Sequence, residues 1–304
     1  MIVERSHVFV LGAAKAGTTT LHRFLDAHAD VCMSDPKEPA FFEAEYESGV
    51  EFYWRKYYAH RWRGEPLVGE ARHRNLYLPY VPRRIASRYP HAKLLVILRH
   101  PVDRAWSHWW QRYARGQEQA GFDDAIAADM DRISSGILFE EPDGPAMWCR
   151  SLDPDSRGRI NEYRTYVDSG YYADQILRYV DLFGWESLHI ILLDDLRADP
   201  QKTLRGIFDC LRLAPPSIDV STIHNHRMPN YTDGGRRLLG AVRATRVQKL
   251  APKRVRATLH RRFLPTAPWP TMNQRTRADL LRHFAPHNRA LGSLLRRDLS
   301  HWAQ

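Results

Sequence analysis

The chain has 304 residues, with 45 Lys plus Arg against 35 Asp plus Glu and a net charge of +10. At 43% hydrophobic and 26% charged residues it falls in the range of folded globular proteins and outside that of disordered chains. Its three cysteines, Cys32, Cys149 and Cys210, lie far apart without CxxC or Cys/His spacing, which argues against a disulfide scaffold and for a reducing, cytoplasmic setting. The positive surplus favours an anionic partner: a phosphate-bearing cofactor, an acidic glycan, a nucleic acid or a membrane surface.

In chain order, His7–Leu11 (HVFVL) is a β-rich apolar run. It is too short, and too soon broken by Gly12 and Lys15, for a signal peptide or a membrane span. The turn GAAKAGTTT follows, then LHRFLDAH with Leu21, Phe24 and Leu25 at helical spacing. Val68–Glu70 predicts a short second strand and Val81–Arg88 a helix. Ala92–Leu98 (AKLLVIL) is a continuous apolar strand of the buried parallel kind, and a Trp-rich helix is expected from Val102 to Tyr113. Phe122–Ile133 predicts another helix, and residues 134–163, rich in Gly, Pro, Ser and Asp, read as an irregular insertion or lid. Then come a helix at Tyr172–Phe183, a strand at Leu188–Leu193 and a helix at Pro200–Leu211. Leu280, Leu281, Phe284, Leu291, Leu294 and Leu295 recur at helical spacing in a closing helix over 275–300. Strands alternating with helices predict an α/β fold in one domain spanning 1–304, a central, mainly parallel sheet flanked by helices.

Two segments carry the chemistry. A Gly-containing turn between a first strand and a first helix is an anion site, because backbone N–H groups and the helix N-terminus face the ligand. Gly12 and Gly17 keep the spacing of the GxxxxGK[ST] phosphate loop, but the residue after Gly17 is Thr18, and the lysine sits inside the loop as Lys15. Thr18, Thr19 and Thr20 add hydroxyl donors. A magnesium-dependent nucleotide hydrolase would want a strand ending in Asp. The strand LLVIL ends in Arg99 instead. In LRHPVDRAWSHWW, Arg99 at a strand's C-terminal end and Ser107 in the next helix are placed to grip a second phosphate, while Arg104 is free to pair with Asp103. Trp106, Trp109 and Trp110 read as core and pocket wall. Fifteen scattered histidines without HExxH predict no metal site.

Together these segments resemble the sulfotransferases that use 3′-phosphoadenosine 5′-phosphosulfate (PAPS). VLGAAKAGTTTL looks like their 5′-phosphosulfate loop and LVILRHPVDRAWSHWW like their 3′-phosphate motif. SDPKEPAFFE resembles the Lys-Glu-Pro-x-Phe-Phe segment of the heparan-type and bacterial carbohydrate branch. The resemblance implies a P-loop-like fold, PAPS as donor, no metal, and a carbohydrate, glycoconjugate or small-molecule acceptor. It carries over Gly12, Lys15, Ala16, Gly17, Thr18, Thr19 and Thr20 as 5′-phosphosulfate ligands, Lys15 on the transferring group, Arg99 and Ser107 on the 3′-phosphate, and Arg227 as a late cofactor contact. Glu38 falls on the position of the base that takes the acceptor's proton. His73, in the loop where the small-molecule branch carries its histidine base, is an alternative base, a substrate contact or a surface residue. Arg72 and Arg74 suggest an anionic acceptor or phosphate contact, or a solvated basic loop.

The alternatives are a nucleotide kinase or ATPase, and a protein bound to nucleic acid or a membrane surface through its charge. Nucleic acid is not expected, because the surplus is local. Residues 234–278 hold twelve Lys or Arg and no Asp or Glu, leaving 33 basic against 35 acidic residues elsewhere. That stretch is either a face for anionic lipid or an acidic polymer, or a solvated connector.

Overall fold

A computed structural model describes residues 6–154, 160–215 and 270–304. Arg227 and residues 234–269 of the basic stretch lie outside the described residues.

Five strands form one parallel sheet: β1 (Ser6–Gly12), β2 (Val31–Met33), β3 (Leu67–Ala71), β4 (Lys93–Leu98) and β5 (Leu188–Leu192). Their order is β2-β3-β1-β4-β5. The two longest apolar runs of the sequence take the middle. Val8, Val10 and all of Leu94–Leu98 are fully buried, as strands covered by helices on both faces must be. From β1 the chain first moves to one side of the sheet, to β2 and β3, and then returns to the other side as β4. Such a reversal opens a crevice at the strands' C-terminal ends, where open α/β sheets bind ligands. The two sequence motifs start there, at Gly12 on β1 and at Arg99 after β4.

The helices α1 (Thr18–Asp26), α2 (Gly49–Tyr57), α3 (His73–Tyr77) and α4 (Val81–Arg88) lie between β1 and β4 in sequence. Next come α5 (Pro101–Ala114), α6 (Phe122–Ser134), α7 (Gly144–Leu152) and α8 (Tyr172–Phe183). Then follow α9 (Leu193–Ala198), α10 (Pro200–Leu211) and α11 (Gln274–Leu295). Pro101 and Pro200 fall in first turns, where a missing N–H costs nothing.

Two expectations need correction. Residues 134–163 are not wholly irregular, because α7 forms within them. Pro145 suits its first turn, and Trp148, fully buried against Tyr77 and Phe139, supplies the tertiary packing that a composition rich in Gly and Pro hides. The closing helix stops at Leu295, where Arg296 turns left-handed, and a separate 3-10 turn at Ser300–Ala303 follows. That turn buries Trp302, whose carbonyl accepts from the His100 ring at 3.0 Å and whose indole N–H meets Asp194 at 3.2 Å. The tryptophans of α5 are core as expected. Trp109 and Trp110 are buried, and Trp106 and Trp109 both pack against Phe122 of α6.

Candidate active site

The loop between β1 and α1 is built for an anion. Gly17 caps α1 with φ 114°, a left-handed value that favours glycine, and no side chain caps the helix. No acidic residue stands in its first turn. Among the described residues, the N–H groups of Lys15, Gly17, Thr18 and Thr19 have no backbone acceptor. They are the open donors of a helix N-terminus. The rest of the predicted set has other duties. Ala16 is buried and its N–H closes the loop on Ala13 O at 3.2 Å, while the Thr20 N–H bonds Gly17 O at 2.9 Å. The Thr18 side chain is buried, leaving Thr19 exposed and Thr20 half-buried. A Cβ on Gly12 would stand 2.8 Å from Leu76 Cβ and 3.2 Å from His73 O, so this glycine serves the close approach of α3.

Lys15 has φ 63°, unusual for a side chain larger than glycine. Burial, then the charges of Arg115, Arg99 and Lys37, lower its pKa to about 8, with Glu38 pulling the other way. Cations gathered at a half-buried point repel one another until an anion joins them. Arg99 bonds the loop directly, donating to Lys15 O at 3.2 Å, and its own carbonyl accepts from Tyr172 Oη at 2.8 Å. Ser107 is half-buried on α5. Arg104 pairs elsewhere: it is fully buried and donates to Tyr166 O. Arg115, the residue that ends α5, is the functional candidate that sequence reading missed. Nothing local marks it, because only the fold brings that helix end to Lys15.

Glu38 faces the same centre and also has a left-handed backbone, φ 69°. Its carboxylate meets Lys37 Nζ at 2.8 Å and His73 Nδ1 at 3.5 Å. The two candidate bases are therefore neighbours. Burial would raise the Glu38 pKa, but His73 and Lys37 outweigh it and hold the carboxyl well below the usual range. Burial lowers the His73 pKa, with Glu38 pulling the other way, so each of the two groups sets the other's proton affinity.

Arg72 and Arg74 do not form a solvated loop but are engaged within the protein. Both pair with the fully buried Glu43, Arg74 NH1 at 2.6 Å, and Trp148 Nε1 donates to the same carboxylate at 2.7 Å. Arg72 also donates to Glu38 O at 3.3 Å, and Arg74 continues to Glu162, which meets Arg112 at 2.8 Å. The alternative of a solvated basic loop gives way to an internal ion network. Its carboxylates lie far from these arginines in sequence, so no spacing could reveal them.

A family model described as "Sulfotransferase domain" matches residues 5–234. The chain belongs to the sulfotransferase family. A crystal structure of a sulfotransferase from Alicyclobacillus acidocaldarius aligns over 99% of this chain and 100% of that one, with TM-score 0.65 and 25% identity. The bifunctional heparan sulfate N-deacetylase/N-sulfotransferase 4 of Mus musculus is 26% identical over 212 residues, covering 68% of this sulfotransferase chain and 22% of that protein. The corresponding enzyme 1 of Homo sapiens is 28% identical over 205 residues, covering 65% and 21%. The chain thus spans about a fifth of the length of these curated relatives.

Proposed function

We propose that this sulfotransferase moves a sulfuryl group from PAPS to an amino or hydroxyl group of a carbohydrate-type acceptor. The observation that carries this reading is the convergence of open loop N–H groups and a charge-crowded Lys15 with the Glu38–His73 pair. The residues present fit the donor. Uncapped N–H groups and Lys15 suit the 5′-phosphosulfate, and Arg99 with Ser107 suits the 3′-phosphate. When bound, PAPS supplies a sulfuryl group on a phosphate leaving group.

Lys15 and the loop N–H groups are fixed donors at the point where the leaving group gains charge, so they stabilise it without reorganising. The acceptor must lose a proton, and Glu38, coupled to Lys15 on one side and held by His73 and Lys37 on the other, is the carboxylate placed to take it. Lys37 beside Glu38 and Lys15 in the loop would face the donor's phosphates, which would offset part of the positive field that keeps Glu38 ionised. The carbohydrate acceptor rests on the heparan sulfate enzymes among the relatives and on the KEPAFF segment. Belonging to the same reading are a single domain, metal-free turnover and a reducing cytoplasmic setting, the last resting on three unpaired cysteines.

The test is transfer of labelled sulfate from PAPS, with chelator present, to de-N-sulfated heparan fragments, to neutral oligosaccharides and to simple phenols. Label in either glycan supports the reading. Phenols alone would overturn the acceptor class, and turnover of ATP with magnesium but none of PAPS would overturn the donor.

A further inference from the structure

His73 also lines a small cavity beside Ala13 and Ala14 of the loop, bounded by His108 of α5 and by Ser169 and Gln175. The cavity offers about 10 Å³ for the centre of a water molecule, the room that one water needs. Its walls carry two buried polar atoms that no protein group reaches, His108 Nδ1 and Gln175 Oε1. The two residues are 8% and 3% exposed, and atoms so buried are rarely left unpaired. The Gln175 amide nitrogen is already engaged by Asp168 O at 2.9 Å, which leaves Oε1 for the cavity. Ser169 Oγ donates to Thr165 O and keeps its lone pairs. The His73 and His108 rings stand edge to face with centroids 6.1 Å apart. That is beyond a direct N–H···N bond and within reach of one bridging water.

We propose that this cavity is a single-water site, and that His108, acting through that water, is a positioning residue for His73. The polar chain then runs from Glu38 through His73 and the water to His108 and Gln175. His73 Nδ1 faces Glu38 Oε1 at 3.5 Å, and its other nitrogen meets the water. When His73 is charged, both nitrogens donate, and the water is the second acceptor that the imidazolium needs. The surrounding charges make that acceptor matter. Glu38 favours the charged His73 ring, whereas burial and then Arg74 and Arg72 oppose it, and burial, then Arg104, His73 and Arg112, lower the pKa of His108.

The inference rests on the assignment of Glu38 and His73 to the acceptor side, yet its test needs no turnover. Two-bond 1H–15N spectra of the full chain, labelled at histidine, report the tautomer and titration of His73, which a His73→Gln spectrum identifies. In His108→Phe the His73 pKa should fall by about 0.7 of a pH unit, the equivalent of one ordinary hydrogen bond. His108→Asn, which returns a polar atom near the Nδ1 position, should restore it. An unchanged His73 titration in the Phe variant, or an equal fall in both variants, overturns the inference. If Phe at 108 prevents folding, judged by binding of adenosine 3′,5′-bisphosphate (PAP), Gln175→Met removes the water's other partner and gives the same readout. A wild-type chain without sulfuryl transfer would sink the functional reading and leave this result standing.

Discussion

Lys15 makes the anion loop measurable. Burial, Arg115, Arg99 and Lys37 hold its pKa at about 8 against an ordinary 10.5. A bound phosphate at the loop replaces repulsion by attraction. A full return to the ordinary value couples ligand and proton by at most about 3.4 kcal/mol, less in practice because Lys15 keeps some contact with solvent. The ammonium form is the one that binds. PAP affinity should therefore be full below about pH 8 and fall as pH rises toward 10.5, by up to about tenfold per pH unit. At a pH near 8, binding should take up about half a proton. Titration calorimetry in two buffers of different ionisation enthalpy measures both quantities, and Lys15→Met should flatten the slope while weakening binding throughout. A PAP affinity that stays level from neutral to strongly alkaline pH, with no buffer-dependent heat, refutes the reasoning. A slope that survives in Lys15→Met assigns it to another group.

Arg99→Ala should weaken PAP binding by about 10- to 100-fold, the worth of charge-assisted bonds to a phosphate, and should scarcely affect adenosine 5′-phosphosulfate, which lacks the 3′-phosphate. Equal losses for both ligands in calorimetry would move Arg99 from that phosphate to the loop. Glu38→Gln should lower kcat by about 100-fold or more with PAP affinity kept, whereas His73→Ala should cost less and shift the pH profile. The reverse order in single-turnover assays makes His73 the base. Glu43→Gln leaves Arg72 and Arg74 around an uncharged group and should destabilise the fold by about 3–5 kcal/mol in urea unfolding. Burial works to raise the Glu43 pKa, but Arg74 and Arg72 prevail and depress it, so this stabilisation is present above the ordinary carboxylate range and is lost as pH falls below it. A loss under about 1 kcal/mol would show the network to be dispensable.

What could be read from the sequence was local and periodic. Val81–Arg88, Tyr172–Phe183 and Pro200–Leu211 form helices at the expected bounds, because apolar spacing, a proline in the first turn of two of them and a short break define each. The loop and Arg99 were legible because strand, turn and helix follow one another without a gap. β2, with three residues, and α3, with five, are too short for any period to register, and neighbours hold them in place. α9 begins directly where β5 ends, with no turn residue to mark the change, so Leu193 read as strand. Glu38 and His73 were each legible as candidates, but their adjacency was not, since it depends on β3 returning α3 to the loop. Pairing is a property of the sheet order, and the sequence states that order only indirectly.

The absent side chain of Gly12 has a consequence for changing this enzyme. Because α3 rests against the backbone of the phosphate loop, with Leu76 Cβ only 2.8 Å from where a Cβ on Gly12 would stand, the element bearing His73 and the element bearing Lys15 cannot be shifted independently. Donor geometry and proton geometry form one rigid part. Attempts to recruit a bulkier acceptor by moving α3 should cost donor alignment first.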